Sequence, residues 1–521
     1  MGVMLFDALF VVLCLLCAAL FWLQNCYNRN KVSFTAATKH EFRRFQTCYL
    51  LAYALAVTGD WLQGPYVYAL YAAYDFSKQQ IAVLFIVGFG ASGILGAFTG
   101  VIADRFGRRL SCHVYCATYI ASCLSKHSAD FNVLLFGRLA GGVATSILFS
   151  SFEAWLVSEH TRRGFQPQLL NETLSLATLL NYVSAIGAAW LGAFVRSYFD
   201  SLVAPFDLAI LFLSLAVIFI AVTWPENRGA TDSGAPPPVG GRSRWTEAMR
   251  VLKDDRKIVL LGLIQSCFEA PMYIFVFMWT PKLESTFEDL PHGQVFGCFM
   301  ACCMMGSSLV GYLVRLRGSP VFYMREHLFV SAVCLTLPAV YPGSGALALV
   351  CFFVFEAAVG VYWPSIGIVK SRYVPERVRA TLYNVFRVPL NFFVVIVLAN
   401  LGSLSDDAVF GVCGCLLLAA SLMQHFFMAA MMAAEAAPDG EEGGEMTESR
   451  GDARSESGAE AVGSGAGAVL KLRVDAGGGE TEARKQRWRQ QGASGAEAVD
   501  EGGVVVEISK ADDAGTSPLL S

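Results

Sequence analysis

The sequence predicts an all-α polytopic membrane protein: two six-helix halves, with an extra helix ahead of them and an unstructured tail behind. Three observations carry that expectation. The 521 residues are 55% hydrophobic and 16% charged, where soluble domains carry roughly 25% charge, and the mean hydropathy is +0.49. The apolar residues fall in repeated runs of about 20, each long enough for a ~30 Å hydrocarbon core. The loops between the runs alternate, basic on one side and acidic on the other.

Residues 3–24 are apolar, without a basic leader or a small-residue cleavage site. They read as an extra N-terminal membrane helix within 1–30, not as a cleaved signal. The first half occupies 45–224, with helices expected near 46–72, 80–103, 110–126, 133–159, 172–195 and 205–223. Residues 225–257 are rich in proline and glycine (Pro236, Pro237, Pro238, Gly240, Gly241) and then basic, the composition of a cytoplasmic linker. The second half occupies 258–433, with helices near 258–280, 293–314, 326–341, 345–369, 379–402 and 408–433. From 434 to 521 glycine, alanine, serine and glutamate dominate. Such a segment cannot bury a core and is expected to be a disordered cytoplasmic tail.

The stretch from Gly100 to Arg109 (Gly-Val-Ile-Ala-Asp-Arg-Phe-Gly-Arg-Arg) sets the orientation. It is a basic turn between two apolar runs, and Lys and Arg accumulate in cytoplasmic loops. Alternate loops then carry Lys39, Arg43 and Arg44; Arg162 and Arg163; the 242–257 cluster; Arg315, Arg317 and Arg325; and Lys370, Arg372, Arg377 and Arg379. The opposite loops carry Asp75, Asp130, Glu284, Glu288, Asp289, Asp406 and Asp407, with the isolated bases Lys78, Lys126 and Lys282. Core start, linker and tail are therefore expected inside, and the extreme N-terminus outside. Asp104, Arg105 and Arg108 are candidates for gating, with Asp104 as a latch paired to nearby arginines or helix ends.

Short segments recur across the linker. Phe152-Glu153-Ala154 returns as Phe355-Glu356-Ala357. Ala177-Thr178-Leu179-Leu180-Asn181 returns as Ala380-Thr381-Leu382-Tyr383-Asn384, at the same offset. Gln63-Gly64-Pro65 parallels Glu269-Ala270-Pro271. Parallel repeats of this kind hold substrate between them near the bilayer midplane.

Ionisable side chains inside apolar runs cost several kcal/mol by most scales and each needs a reason. Here they are Asp60, Arg138 and Glu153, then Glu269, Glu356 and Arg387. The Arg387 fork suits an oxyanion, with Asn384 and Asn391 a turn to either side. Asn384, Asn181, Gln63 and Tyr66 supply further donors for a tetrahedral anion. Three roles stand open for Arg387: substrate contact, gating, or a structural pair with Glu269 or Glu356. Arg138, in Arg138-Leu-Ala-Gly141-Gly142, serves either proton coupling or a helix–helix lock. Asp60, Glu153, Glu269 and Glu356 are candidates for proton coupling. Pro65, Pro271 and Pro364 are expected to kink their helices.

The chain carries 15 cysteines, mostly within apolar runs and without metal-ligand or redox spacing. No metal or cofactor is expected. No nucleophile–base set suggests an enzyme, and no continuous basic face suggests nucleic-acid binding. The partners expected are a small solute and the lipid bilayer, with the chain acting as a monomer.

The basic turn, G-x-x-x-D-R-x-G-R-R, resembles the loop between the second and third helices of the major facilitator superfamily, over a core of about 45–433. That resemblance implies the major facilitator fold. A narrower one rests on Asp60-Trp61-Leu62-Gln63-Gly64-Pro65-Tyr66, Phe149-Ser-Ser-Phe152-Glu153-Ala154-Trp155, Phe268-Glu269, Phe275-Val-Phe-Met-Trp279-Thr-Pro281, Tyr362-Trp363-Pro364-Ser365 and Asn384-Val-Phe386-Arg387-Val-Pro389-Leu390. These segments resemble the molybdate-anion transporter family. The resemblance implies uptake of molybdate across the plasma membrane by alternating access, with proton coupling an open option. A carrier of a neutral organic solute or of another oxyanion, and a non-transporting membrane sensor or scaffold, are the competing readings.

Overall fold

The computed structural model describes residues 2–27, 36–227, 241–375 and 378–436. The tail beyond 436 and the middle of the linker lie outside the described residues. Fifteen α-helices follow in order: α1 (Gly2–Tyr27), α2 (Ala36–Trp61), α3 (Val67–Ala73), α4 (Lys78–Phe106), α5 (Arg108–Leu124), α6 (Phe131–Arg162), α7 (Pro167–Phe199), α8 (Ala204–Thr223), α9 (Gly241–Asp254), α10 (Arg256–Glu284), α11 (His292–Arg317), α12 (Met324–Val340), α13 (Gly345–Tyr373), α14 (Arg379–Ala399) and α15 (Asp406–Ala436). No strand occurs among the described residues. Among the described residues nine helices are long and apolar enough to cross a membrane. Large apolar side chains such as Ile94, Phe136, Val222 and Phe392 point out of the bundle, as lipid-facing side chains do.

Local sequence sets the helix starts. Ser77 and Gln80 form a reciprocal capping box at α4. Asp130 accepts from the amides of Asn132 and Val133 at α6, and Asp255 accepts from Lys257 N at α10. Each satisfies donors that a helix N-terminus leaves open.

Two expectations about local shape change. The segment Leu62–Tyr66 is a run of turns that separates α2 from α3, because Gly64 and Pro65 together abandon the helix. At the duplicated place, Ala270 supports the helix and Pro271 stays inside α10. The expected loop at 100–109 is mostly helix: α4 runs to Phe106, Gly107 alone makes the hinge at φ 119°, and α5 begins at Arg108. Glu226, after α8, reaches back to accept from Arg109 N (2.9 Å) and Leu110 N (3.1 Å). A carboxylate there satisfies open amides and matches the helix dipole. The Asp104 side chain lies outside the described residues.

The helices from α2 to α8 pack on one another, as do those from α10 to α15, and the two sets meet chiefly where α7 crosses α11 and α4 crosses α14. Helix α1 packs on α11. Phe10 lies 4.8 Å from the Trp190 ring, and Cys17 donates to Ala301 O. The linker holds a helix, α9, that its composition did not announce. Glycines bring the closest crossings together. A Cβ at Gly142 would stand 2.4 Å from Gly88 O between α4 and α6; one at Gly360 would stand 1.9 Å from Cys303 O between α11 and α13. Small residues permit this close approach in membranes, where van der Waals packing drives association.

Gly360→Ala should therefore overpack the α11–α13 crossing and destabilise the fold by about 1–3 kcal/mol. Gly411, which has nothing within 4 Å of its Cβ position, is the control, and its alanine variant should keep the parent melting temperature. Thermal unfolding of detergent-purified protein measures both.

Candidate functional site

The ionisable residues of the first set are largely tied up. Asp60 accepts a hydrogen bond from Tyr119, which joins α2 to α5. Arg138 donates from Nε to Leu84 O at 3.2 Å and lies 4.7 Å over the Phe85 ring. Gly88 leaves room for it, since a Cβ there would stand 2.7 Å from Arg138 Nη2. This geometry is a lock between α6 and α4. Glu153 is exposed and lies within electrostatic reach of Tyr49 and Tyr53. Arg108 Nη1 donates to Ala154 O at 3.0 Å, and Arg105 stacks on Phe106.

The amide and phenol candidates do not form one ring around Arg387. Gln63 Nε2 donates to Gly59 O within its own turn at 3.2 Å. Asn181 Oδ1 accepts from Trp61 Nε1 at 3.1 Å. Tyr66 is buried, and its ring lies 6.5 Å from that of His292. Glu356 is buried beside Tyr182, Cys302 and Cys303.

A different set converges between the two helix groups. Arg387 is exposed, and among the described residues no carboxylate lies within ion-pair distance of it. It faces α4: a Cβ at Gly96 would stand 3.2 Å from Arg387 Nη1 and 3.6 Å from Ser146 Oγ. One turn on, Asn391 Nδ2 stands 2.7 Å from the Cβ position of Gly93. Beside Arg387, buried Glu269 accepts from Tyr362 OH at 3.1 Å and is subject to the charges of Lys370 and Arg387. Lys370 Nζ donates to Gln265 Oε1 at 3.3 Å and lies 4.4 Å over the Tyr383 ring. Asn384 is half-buried on the same helix as Arg387. Across from them, Ser146 Oγ donates to Ser92 O at 2.9 Å, and Ser150 Oγ to Thr99 Oγ1 at 3.2 Å. The chemistry brought together is two cations, one carboxylate, phenols, amides and hydroxyls, which suits a compact oxyanion.

Sequence reasoning missed Lys370, Gln265 and the serine line. Lys370 was counted among the loop bases, but it lies inside α13. The available signal was Gln265 and Glu269, four residues apart on one helical face.

The two ends of the bundle differ. At the end expected to face outside, Lys78 of α4 pairs with Asp406 of α15, and Lys282 of α10 pairs with Asp407 at 2.7 Å. Nearby, Phe277 lies 5.2 Å from Tyr68 and 5.1 Å from Phe85, and Phe89 lies 4.9 Å from Tyr273. The Lys78 pair and these ring contacts cross between the sets, while the Lys282 pair joins α10 to α15 within the second. At the basic-turn end, the described ion pairs of Arg162 and Arg163 with Glu159, and of Arg325 with Glu326, each stay within one helix.

Solved structures share this arrangement. A POT family transporter in complex with 5-aminolevulinic acid superposes with a TM-score of 0.60 at 10% identity, covering 75% of this chain and 96% of that one. The inward open xylose transporter XylE from E. coli gives 0.57 at 12%, covering 75% and 99%. At such identities the likeness concerns the fold. A family model of the major facilitator superfamily, described as sugar transporters with 12 TM, matches residues 5–355. The chain is thus a major facilitator superfamily membrane transporter and not an enzyme. Among curated relatives, the molybdate-anion transporter of Xenopus tropicalis is 36% identical over 424 residues, 77% of this chain and 88% of the relative. That of Takifugu rubripes is 32% identical over 426 residues, 74% and 88%. The chain belongs to the molybdate-anion transporter family.

Gly96→Val should push a side chain into the space held by Arg387 and lower transport while the protein still inserts. Gly90, open within 4 Å on the same helix, is the control, and Gly90→Val should transport as the parent does. Uptake into proteoliposomes at matched protein density reads the difference.

Proposed function

We propose that the chain takes up molybdate, or a similar tetrahedral oxyanion, across the plasma membrane by alternating access between two six-helix halves, 45–224 and 258–433. The observation that carries this reading is Arg387, an exposed guanidinium between the helix sets with no carboxylate in ion-pair reach among the described residues. A bidentate fork in that position is an anion receptor. The printed substrate of the curated relatives points the same way. The contacts crossing between the sets at the Lys78 end, against ion pairs confined to single helices at the other, support a state closed outside. The basic turn, the linker and the tail then face the cytoplasm, the extra helix starts outside, and a monomer suffices.

Glu269 is the favoured coupling carboxylate, because it shares the site with both cations. Asp60, Glu153 and Glu356 stand apart from it. Asp104, Arg105 and Arg108 act at the cytoplasmic end, as gating groups. A neutral organic solute is the second reading, favoured by the sugar-transporter description of the family model. The unpaired Arg387 speaks against it, since a neutral ligand leaves that charge uncompensated.

Purified protein in liposomes should accumulate labelled molybdate, and Arg387→Lys should reduce the rate by roughly tenfold or more, as expected when a bidentate contact becomes a point charge. Parent-like kinetics in the lysine variant would remove Arg387 from the site. Absence of molybdate uptake by the parent protein, with and without a proton gradient, would overturn the reading itself.

A further inference from the structure

We propose that Lys370 is the second cation of the anion site, and that it and Arg387, opposed by Glu269, set its preference for divalent over monovalent oxyanions. The inference rests on the oxyanion reading above and deepens it. Three helices bring these groups together: Gln265 and Glu269 from α10, Tyr362 and Lys370 from α13, Tyr383 and Arg387 from α14.

Neither cation is neutralised by contact. The acceptor for Lys370 is the Gln265 amide, 3.3 Å away, and the Tyr383 ring covers it at 4.4 Å. Among the described residues no carboxylate comes within ion-pair distance of Lys370 or Arg387. Lys370 nevertheless interacts electrostatically with both Glu269 and Arg387. Glu269 is turned to Tyr362, which donates to it at 3.1 Å. The groups facing Glu269 are Lys370 and Tyr362 from α13, Arg387 from α14, and Gln265 from its own helix. Two cations held near each other, each short of a direct counter-ion, form a receptor for more than one negative charge.

Ligand valence is then the readable quantity. Each positive charge in the site attracts a dianion twice as strongly as a monoanion of the same shape. At ~5 Å and an effective dielectric of ~20, removing one such charge changes the dianion-to-monoanion affinity ratio on the order of 100-fold. Removing the opposing carboxylate shifts the ratio the other way. Shape cannot make this distinction when both anions are tetrahedral.

The experiment uses the full-length protein purified in detergent, with molybdate and perrhenate as probes. Both are tetrahedral and of similar size, with charges of −2 and −1. Calorimetric binding is measured for the parent, Lys370→Gln, Lys370→Arg and Glu269→Gln. The proposal expects Lys370→Gln to lower the molybdate-to-perrhenate affinity ratio on the order of 100-fold, Lys370→Arg to retain the parent ratio, and Glu269→Gln to raise it. Should Lys370→Gln fail to fold, Glu269→Gln still decides, because an unchanged ratio there overturns the charge balance. A parent that binds both anions, with a ratio that Lys370→Gln leaves unmoved, overturns the selectivity alone. A parent that binds neither anion overturns the oxyanion reading, and this inference with it.

Discussion

Inside a hydrocarbon core a charge must be paired, hydrogen-bonded or opened to water, and that constraint organises this bundle. Asp60 and Arg138 meet it by being absorbed into the scaffold. Asp60 is tied to Tyr119, and Arg138 to the Leu84 carbonyl and the Phe85 ring. Arg387 meets it by facing the gap between the helix sets, beside the glycines of α4. Asp60 and Arg138 thus serve cohesion in the first set, while Arg387 in the second has no carboxylate within ion-pair distance among the described residues.

Glycine has the complementary part. At the α4–α6 and α11–α13 crossings it brings backbones into contact, and at Gly93 and Gly96 it clears the space opposite Asn391 and Arg387. The same residue type thus serves adhesion in one place and vacancy in another, and only the neighbouring helix tells the two apart. The ion pair of Lys78 with Asp406 adds a third element, a contact between the two sets at one end. A partly exposed pair of this kind contributes modestly, up to about 1 kcal/mol.

Much of this was legible beforehand because membranes make sequence unusually explicit. Apolar runs, loop charge and the repeated Phe-Glu-Ala and Ala-Thr-Leu segments gave the helical architecture. Arg387 and Glu269 stood out, since an ionisable residue deep in an apolar run is rare. Lys370 did not, because it lies one turn from its helix end and is followed by Arg372 and other bases, so it looked like part of a cytoplasmic loop. Gln63 and Asn181 read as ligand donors, but Gln63 Nε2 donates to Gly59 O, and the Asn181 carbonyl accepts from Trp61. A polar side chain's type is visible in sequence, while its partner is not.

The basic turn divides along the same line. Sequence alone determined that a dense cationic segment joins two apolar helices there, since composition and spacing suffice to show it. Only the tertiary structure decided that Gly107 is the whole hinge and that Glu226, more than a hundred residues away, holds the start of α5. Likewise the sequence determined which charges the membrane must accommodate. The packing of α10, α13 and α14 decided which of them meet a counter-ion among the described residues, because a charge's partners show only when its neighbours in space are known.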